Sequence, residues 1–121
     1  MKTEKVNVGE KLTLFSDHWN PRIVGDVNNH QVKLVKFQGG FAWHKHDNED
    51  EMFYVIKGSF RMELRDKTID LSENECLIVP KGVEHRPVAE IEVSAMLFEP
   101  NTTLNTGDSP GSFTRTTLDR I

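Results

Sequence analysis

Short apolar segments separated by turn residues occupy the chain from about residue 22 to residue 99. In residues 60–65, apolar and charged side chains alternate strictly, which is the period-two pattern of a strand with one buried face. Only residues 9–17 and 116–121 are weak helix candidates. Several short strands bounded by turn signals are typical of a sandwich or a barrel. We therefore predict an all-β fold with little helix.

Turn residues set the limits of the predicted strands. Gly39-Gly40 ends one extended segment, and Asp66-Lys67 fits a tight hairpin. Pro80-Lys81-Gly82 has turn chemistry, because proline presets φ and glycine suits the end of a type I turn. We expect strands at residues 32–37, 41–46, 51–57, 60–65, 68–71, 76–79, 85–89 and 91–98.

The composition fits one cytoplasmic domain. We expect a single domain over residues 1–121, with a barrel core at about 22–99 and a coil tail at 100–121. No segment approaches the roughly 20 apolar residues of a membrane helix, and the first ten residues lack a signal-peptide core. Cys76, the only cysteine, suits a reducing compartment. A net charge of −4 argues against a nucleic-acid partner.

His44 and His46 are two residues apart in a segment that we expect to be extended. Successive strand side chains point to opposite faces, so the two imidazoles would share one face, together with Ala42. A turn at residues 47–50 would bring Glu51 alongside His46. Two imidazoles and a carboxylate can chelate one divalent ion. The pattern predicts a metal pocket inside a β-fold, to which the distant His85 would come from a separate hairpin.

Other interpretations of this region are weaker or stay open. Paired histidines also occur on exposed strands without metal, and Asp50 could replace Glu51 if the strand register slipped by one residue. A calcium loop beginning at Asp47 would need glycine at its sixth position and glutamate at its twelfth. Those positions hold Met52 and Gly58, which excludes the calcium loop.

The rest of the sequence offers few catalytic groups. It contains no Gly-x-Ser-x-Gly nucleophile elbow and no glycine-rich phosphate loop. His18 and His30 stand apart from the other histidines, and we expect both at the surface. Cys76 is best explained as a small strand residue.

The residues around the histidine pair resemble the first motif of the cupin superfamily. That motif runs Gly, five residues, His-x-His, three or four residues, Glu, six residues, Gly. His44-Lys45-His46, Glu51 and Gly58 match it at the right spacing. The leading glycine does not match, because Gln38 holds its position and Gly39 is one place late.

The second cupin motif is also present with substitutions. It runs Gly, five residues, Pro-x-Gly, two residues, His, three residues, Asn. Pro80-Lys81-Gly82 and His85 match it, whereas Asn74 replaces the first glycine and Ala89 the final asparagine. The chain is thus similar to small single-domain microbial cupins, including the mannose-6-phosphate-isomerase-like group.

The resemblance implies a jelly-roll barrel, also called a double-stranded β-helix, with one bound divalent metal. Cupins use manganese, iron, nickel, zinc or copper, and ligand identity does not choose among them. Many cupins also form homodimers, and an apolar outer face on the strand at residues 51–57 agrees with a homodimer here. The implied metal ligands are His44, His46, Glu51 and His85.

Two functional hypotheses follow. In the first, the metal acts as a Lewis acid or binds dioxygen, and the protein is an isomerase or dioxygenase for a small polar organic molecule. A phosphosugar isomerase should place Lys or Arg in the pocket, and only Lys36 and Arg86 are candidates. In the second hypothesis, the protein is a binding or sensing module whose metal orients a ligand or braces the barrel. No general base can be identified in either case.

Overall fold

A computed structural model describes residues 3–121, so that Met1 and Lys2 of the predicted domain lie outside the described residues. The described residues form seven antiparallel strands and one short helix, which confirms the predicted all-β fold. The elements are α1 (Val8–Leu12), β1 (Arg22–Val27), β2 (His30–Gly40), β3 (Glu51–Lys57), β4 (Phe60–Leu64), β5 (Thr68–Leu71), β6 (Cys76–Val79) and β7 (His85–Pro100).

The long strand β7 organises the barrel. One edge of β7 pairs with β2 along most of its length. Its other edge pairs first with β4 at residues 85–88 and then with β3 at residues 94–98. β1, β6 and β5 extend the sheet beyond β2, β3 and β4, respectively. Because β7 serves both halves, the strands close into a jelly-roll barrel.

Alternation along the strands separates the lumen from the outer surface. Alternate residues are buried at odd-numbered positions over residues 33–37 of β2, 51–55 of β3 and 93–99 of β7, whereas residues 90–92 of β7 are exposed. The lumen candidates Phe53, Val55, Phe60 and Met62 are all buried, and Leu64 packs against them. The core comprises Val35, Phe37, Phe53, Val55, Phe60, Met62, Leu71, Val79, Ala89, Val93, Ala95 and Leu97.

The histidine segment departs from the predicted strand. Residues 41–46 form no continuous strand, and His44 makes only an isolated antiparallel bridge with His85. Strict alternation therefore fails here, and Phe41 lines the interior cavity instead of Ala42. Ala42, which was predicted to face the lumen, is half-buried and does not line this cavity, and its carbonyl oxygen accepts a hydrogen bond from His44 Nδ1.

Several element boundaries also differ from the predictions. β2 continues through Gly39-Gly40 after a register shift, and residues 85–100 form one strand where two were expected. The N-terminal helix is limited to Val8–Leu12, and residues 116–121 form no helix. Among residues 3–121, no helix combines the length and apolar character needed to cross a membrane.

Two departures from the glycine positions of the cupin motifs have a conformational explanation. Gly39 has a φ of +84° and Asn74 has a φ of +67°, both in the left-handed region. Asparagine tolerates this region better than other residues with a Cβ, so Asn74 can replace a glycine. The left-handed position on β2 falls at Gly39 rather than Gln38, next to the register shift.

Candidate metal centre

Four side chains converge inside one end of the barrel. His44, His46, Glu51 and His85 each offer one ligand atom, and these atoms all lie within 4.8 Å of one another. Each of the four residues is at most 4% exposed. Asp50, the alternative carboxylate, points elsewhere, since its Oδ1 accepts a hydrogen bond from Lys81 N at 2.9 Å. The structure therefore brings together all four residues singled out in the sequence.

Backbone pairing between two distant segments brings the histidines together. His44 N donates to His85 O at 3.1 Å, and His85 N donates to His44 O at 2.9 Å. Directly paired antiparallel residues project to the same side, so the two imidazoles lie with centroids 4.3 Å apart. Gly82 N also donates to His46 O at 2.8 Å, which holds the second turn against the first histidine segment.

Hydrogen bonds to carbonyl groups orient two of the imidazoles. His44 Nδ1 lies 2.9 Å from Ala42 O, and His85 Nδ1 lies 2.9 Å from Val83 O. Since a carbonyl oxygen can only accept, Nδ1 carries a proton in each ring, which leaves Nε2 as the nitrogen that can bind a metal ion. This is the arrangement that commonly orients metal-binding histidines. Burial and the neighbouring His85 lower the pKa of His44 to about 4, so its imidazole is neutral at pH 7.

His46 provides the fit test for a metal ion. Within the described part of the chain, both of its ring nitrogens are buried without a hydrogen-bond partner. Glu51 Oε1 lies 3.4 Å from His46 Nε2 and 3.3 Å from His85 Nε2. Buried polar atoms normally have partners, and a metal ion at the centre would supply one for His46. Three imidazoles and one carboxylate are a donor set suited to first-row transition metals.

A buried charged group lies behind Glu51 and was not predicted. Lys33 Nζ donates to Glu99 Oε1 at 2.8 Å, with both side chains 2% exposed. The carboxyl group of Glu99 also contacts that of Glu51. Burial and the negative charge of Glu51 hold the pKa of Glu99 well above its usual range. Burial also opposes ionisation of Glu51, but contacts with His46 and His85 outweigh it and hold its pKa well below normal.

An apolar cavity of about 40 Å³ adjoins the candidate ligands. Of the described side chains that line it, His44 and Glu51 are the titratable ones, and the other polar groups are the Asn105 amide and the indole N–H of Trp19. Neither basic candidate reaches it: Lys36 donates to the carbonyl oxygens of Leu12 and Phe15, and Arg86 pairs with Glu63. The remaining lining residues are Trp19, Pro21, Val35, Phe37, Phe41, Phe53, Pro87 and Leu97.

Residues 104–115, which we call the closing loop, lie over this end of the barrel. Asp108 and Lys45 exchange two hydrogen bonds, from Lys45 N to Asp108 Oδ1 and from Asp108 N to Lys45 O. Phe113 packs on Phe41 with ring centroids 4.9 Å apart. The coil tail was predicted, but its contact with the histidine segment was not. No local sequence signal identifies that contact.

The other two histidines lie outside the cluster. His18 Nε2 is 2.6 Å from Glu92 Oε2 at the surface. His30 contacts Asn29 and stacks on Phe98. Both positions agree with the expectation that these residues are ordinary surface histidines.

Comparison with known proteins agrees with the fold and the motifs. The cupin domain family matches residues 32–113. A cupin-2 domain protein of Shewanella frigidimarina is 43% identical, with a TM-score of 0.79 over 79% of this chain and 94% of that chain. Protein NMB1881 of Neisseria meningitidis is 30% identical, with a TM-score of 0.75 over 81% of this chain and all of that chain (100%).

A curated relative matches a shorter stretch. The uncharacterised protein YdbB of Bacillus subtilis is 41% identical over 64 residues, or 52% of this chain. The match spans 57% of the length of YdbB. The family match, by contrast, extends from β2 to the closing loop and includes all four clustered side chains. The chain belongs to the cupin domain family.

Proposed function

We propose that this protein is a metal-dependent cupin that binds a small organic molecule beside an ion held by His44, His46, Glu51 and His85. The observation that carries the proposal is the pair of buried His46 nitrogens, which have no hydrogen-bond partner among residues 3–121. They lie beside two imidazoles whose Nδ1 atoms are already bonded to carbonyl oxygens. An apolar cavity beside the cluster offers space for a ligand.

The chemical roles divide between the ion and the protein. A bound divalent ion would supply a Lewis acid with open positions for a ligand oxygen. The chain orients the donor atoms through the carbonyl oxygens of Ala42 and Val83, and it excludes bulk water by burying all four side chains. Glu51 would remain ionised beside the ion, because a neighbouring positive charge favours the carboxylate form.

The cavity supports some reactions better than others. No described lining side chain is a lysine or arginine, which argues against a phosphosugar isomerase. Dioxygenase or non-phosphosugar isomerase chemistry remains the proposal if the protein is an enzyme. The titratable lining residues are both candidate ligands, so the wall supplies no separate general base. The lack of a separate general base in the described wall favours the alternative of a non-catalytic binding or sensing module.

Elemental analysis of protein purified without an affinity tag or chelator tests the metal. We expect about one first-row transition-metal ion per chain, and iron would favour a dioxygenase. Glu51→Ala then separates the two roles. Joint loss of metal and thermal stability would indicate bracing, whereas a folded protein that no longer binds ligand would indicate a working site. Native protein that neither carries metal nor takes up Mn²⁺, Fe²⁺, Ni²⁺, Cu²⁺ or Zn²⁺ would overturn the proposal.

We also propose that residues 1–121 work as one cytoplasmic domain that forms a homodimer. The exposed, unpaired thiol of Cys76 supports a reducing compartment. The outer face of β3, β6 and β7 supports the dimer, because apolar side chains adjoin one another across these strands. Met52, Tyr54, Ile78, Met96 and Phe98 form this outer apolar face, in which Ile78 is 59% exposed.

A further inference from the structure

We propose that the cavity beside the metal centre accepts a small planar molecule with an apolar body and one metal-binding oxygen group. This inference rests on the proposed function and narrows its ligand class. It also predicts that the polar atoms of the ligand lie at one end, the end that reaches the candidate metal ligands.

The shape of the wall favours a planar body. Trp19 stacks on Phe37 and on Phe41, with ring centroids 4.7 Å apart in both pairs. Phe53 and Leu97 add further apolar surface to the same cavity. Aromatic rings pack best against other flat groups, in offset-stacked or edge-to-face arrangements. A ring or conjugated system would therefore contact this wall more fully than a branched, hydrated molecule would.

The polar groups of the wall cannot serve a ligand that carries many hydroxyl groups. Asn105 Nδ2 donates to Phe113 O at 2.9 Å, and Asn105 Oδ1 accepts from Arg115 N at 2.9 Å. Both ends of the amide thus hold the closing loop together. A polyol would lose water on entry and find the indole N–H of Trp19 as the one further side-chain donor in the described wall, so most of its hydroxyl groups would stay unpaired, which disfavours its binding.

The cavity is too small to admit a ring while the closing loop stays in place. A cavity of about 40 Å³ is well below the roughly 150 Å³ at which an apolar protein cavity accepts benzene. Phe113 covers Trp19 and Phe41 from the closing loop, with ring centroids 5.8 Å and 4.9 Å away. Asn105 of the same loop lines the cavity directly. Admission of a ring therefore requires displacement of the closing loop.

Three hydroxamates that share one metal-binding group test the ligand class. The cobalt(II)-loaded protein is titrated with benzohydroxamate, acetohydroxamate and gluconohydroxamate, and binding is followed by the visible absorption of cobalt. We expect benzohydroxamate to bind at least about tenfold more tightly than gluconohydroxamate, because its ring gains apolar burial. Equal or tighter binding of gluconohydroxamate would overturn the inference. Failure to bind cobalt at all would count against the proposed function instead.

Tryptophan fluorescence provides a second readout. Trp43→Phe leaves Trp19 as the only tryptophan, since the chain has two. Benzohydroxamate should quench the fluorescence of Trp19 in this variant, and gluconohydroxamate should not. Phe113→Ala in the same background should speed benzohydroxamate association several-fold, whereas Phe98→Ala, on the outer apolar face, should leave it unchanged. Absence of quenching, or no faster association in the Phe113→Ala variant, would contradict the proposed mode of binding.

Discussion

His44 and His85 exchange both of their backbone hydrogen bonds across an isolated bridge, although 40 residues of chain separate them. The bridge joins the segment after β2 to the start of β7. It places two imidazoles side by side before any ion is present. The two halves of the barrel therefore depend on each other at the point where the candidate metal centre lies.

His46→Leu is expected to separate metal binding from stability. It removes a candidate ligand together with two buried nitrogens that have no partner among the described groups. Affinity for Zn²⁺, measured by calorimetry, should fall at least about tenfold. Loss of a group that only supports a metal ligand already costs about that much, and loss of a ligand should cost no less. Metal-free stability in urea should stay equal or rise by about 1 kcal/mol. His30→Leu is the control, and an unchanged Zn²⁺ affinity in His46→Leu would contradict the assignment.

Lys33→Met should be strongly destabilising. Lys33 is the ion-pair partner of the buried carboxyl group of Glu99, and its loss leaves that group without this partner next to Glu51. We expect a loss of about 3–5 kcal/mol in the free energy of unfolding, measured by urea denaturation. Lys57→Met, on the exposed end of β3, should change it little. The double variant Lys33→Met/Glu99→Leu should recover much of the loss, and equal effects of the two lysine variants would refute the argument.

Gly107→Ala should detach the closing loop. A Cβ at this position would lie 2.1 Å from Lys45 O, and the φ of +54° is unfavourable for alanine. The substitution should lower stability by about 1–3 kcal/mol and expose residues 104–115 to limited proteolysis. Gly111→Ala is a matched control in the same loop, because nothing lies within 4 Å of its added Cβ. Equal proteolysis of the two variants would show that the contact with Lys45 does not hold the loop.

Asn74→Ala and Asn74→Gly should differ in stability. Asn74 has a φ of +67°, and its Oδ1 accepts a hydrogen bond from Tyr54 Oη at 2.8 Å. Both variants lose the hydrogen bond with Tyr54. Only alanine keeps a Cβ, which strains the left-handed backbone, and its side chain makes no contact that would offset this strain. Asn74→Ala should therefore be about 1 kcal/mol less stable than Asn74→Gly in thermal unfolding. Tyr54→Phe measures the contribution of the hydrogen bond alone, and an alanine variant as stable as the glycine variant would exclude backbone strain at this site.

The outer apolar face predicts a dimer in solution. Light scattering should give about twice the 13.9 kDa mass of one chain. Ile78→Glu places a charge on that face and should return the protein to a monomer, because an unpaired charge is costly to bury. Ile91→Glu is the control: Ile91 is 79% exposed but lies between the β4-paired and β3-paired parts of β7. A monomeric mass for the unaltered protein would contradict the proposed homodimer.

Much of the β-fold follows from local patterns. Alternation in residues 60–65 and the turn at Asp66-Lys67 correctly predicted the hairpin of β4 and β5. The two spaced motifs identified His44, His46, Glu51 and His85 as a group, because their spacing reflects the turns and strands that carry them. Local prediction failed in residues 41–46, whose backbone bonds are divided among Pro87 and His85 at the start of β7, Gly82 and the closing loop rather than running along one partner strand.

By itself, the sequence determined the strand periodicity, the turn positions and the set of side chains available for an ion. Only the tertiary structure decided that Lys33 and Glu99 meet behind Glu51, and that Phe113 packs on Phe41. The reason is physical: period and turn chemistry act over a few residues, whereas these contacts join segments that become neighbours only when the barrel closes. Lys33 and Glu99 are 66 positions apart in the sequence, and the residues between them carry no local signal of their pairing.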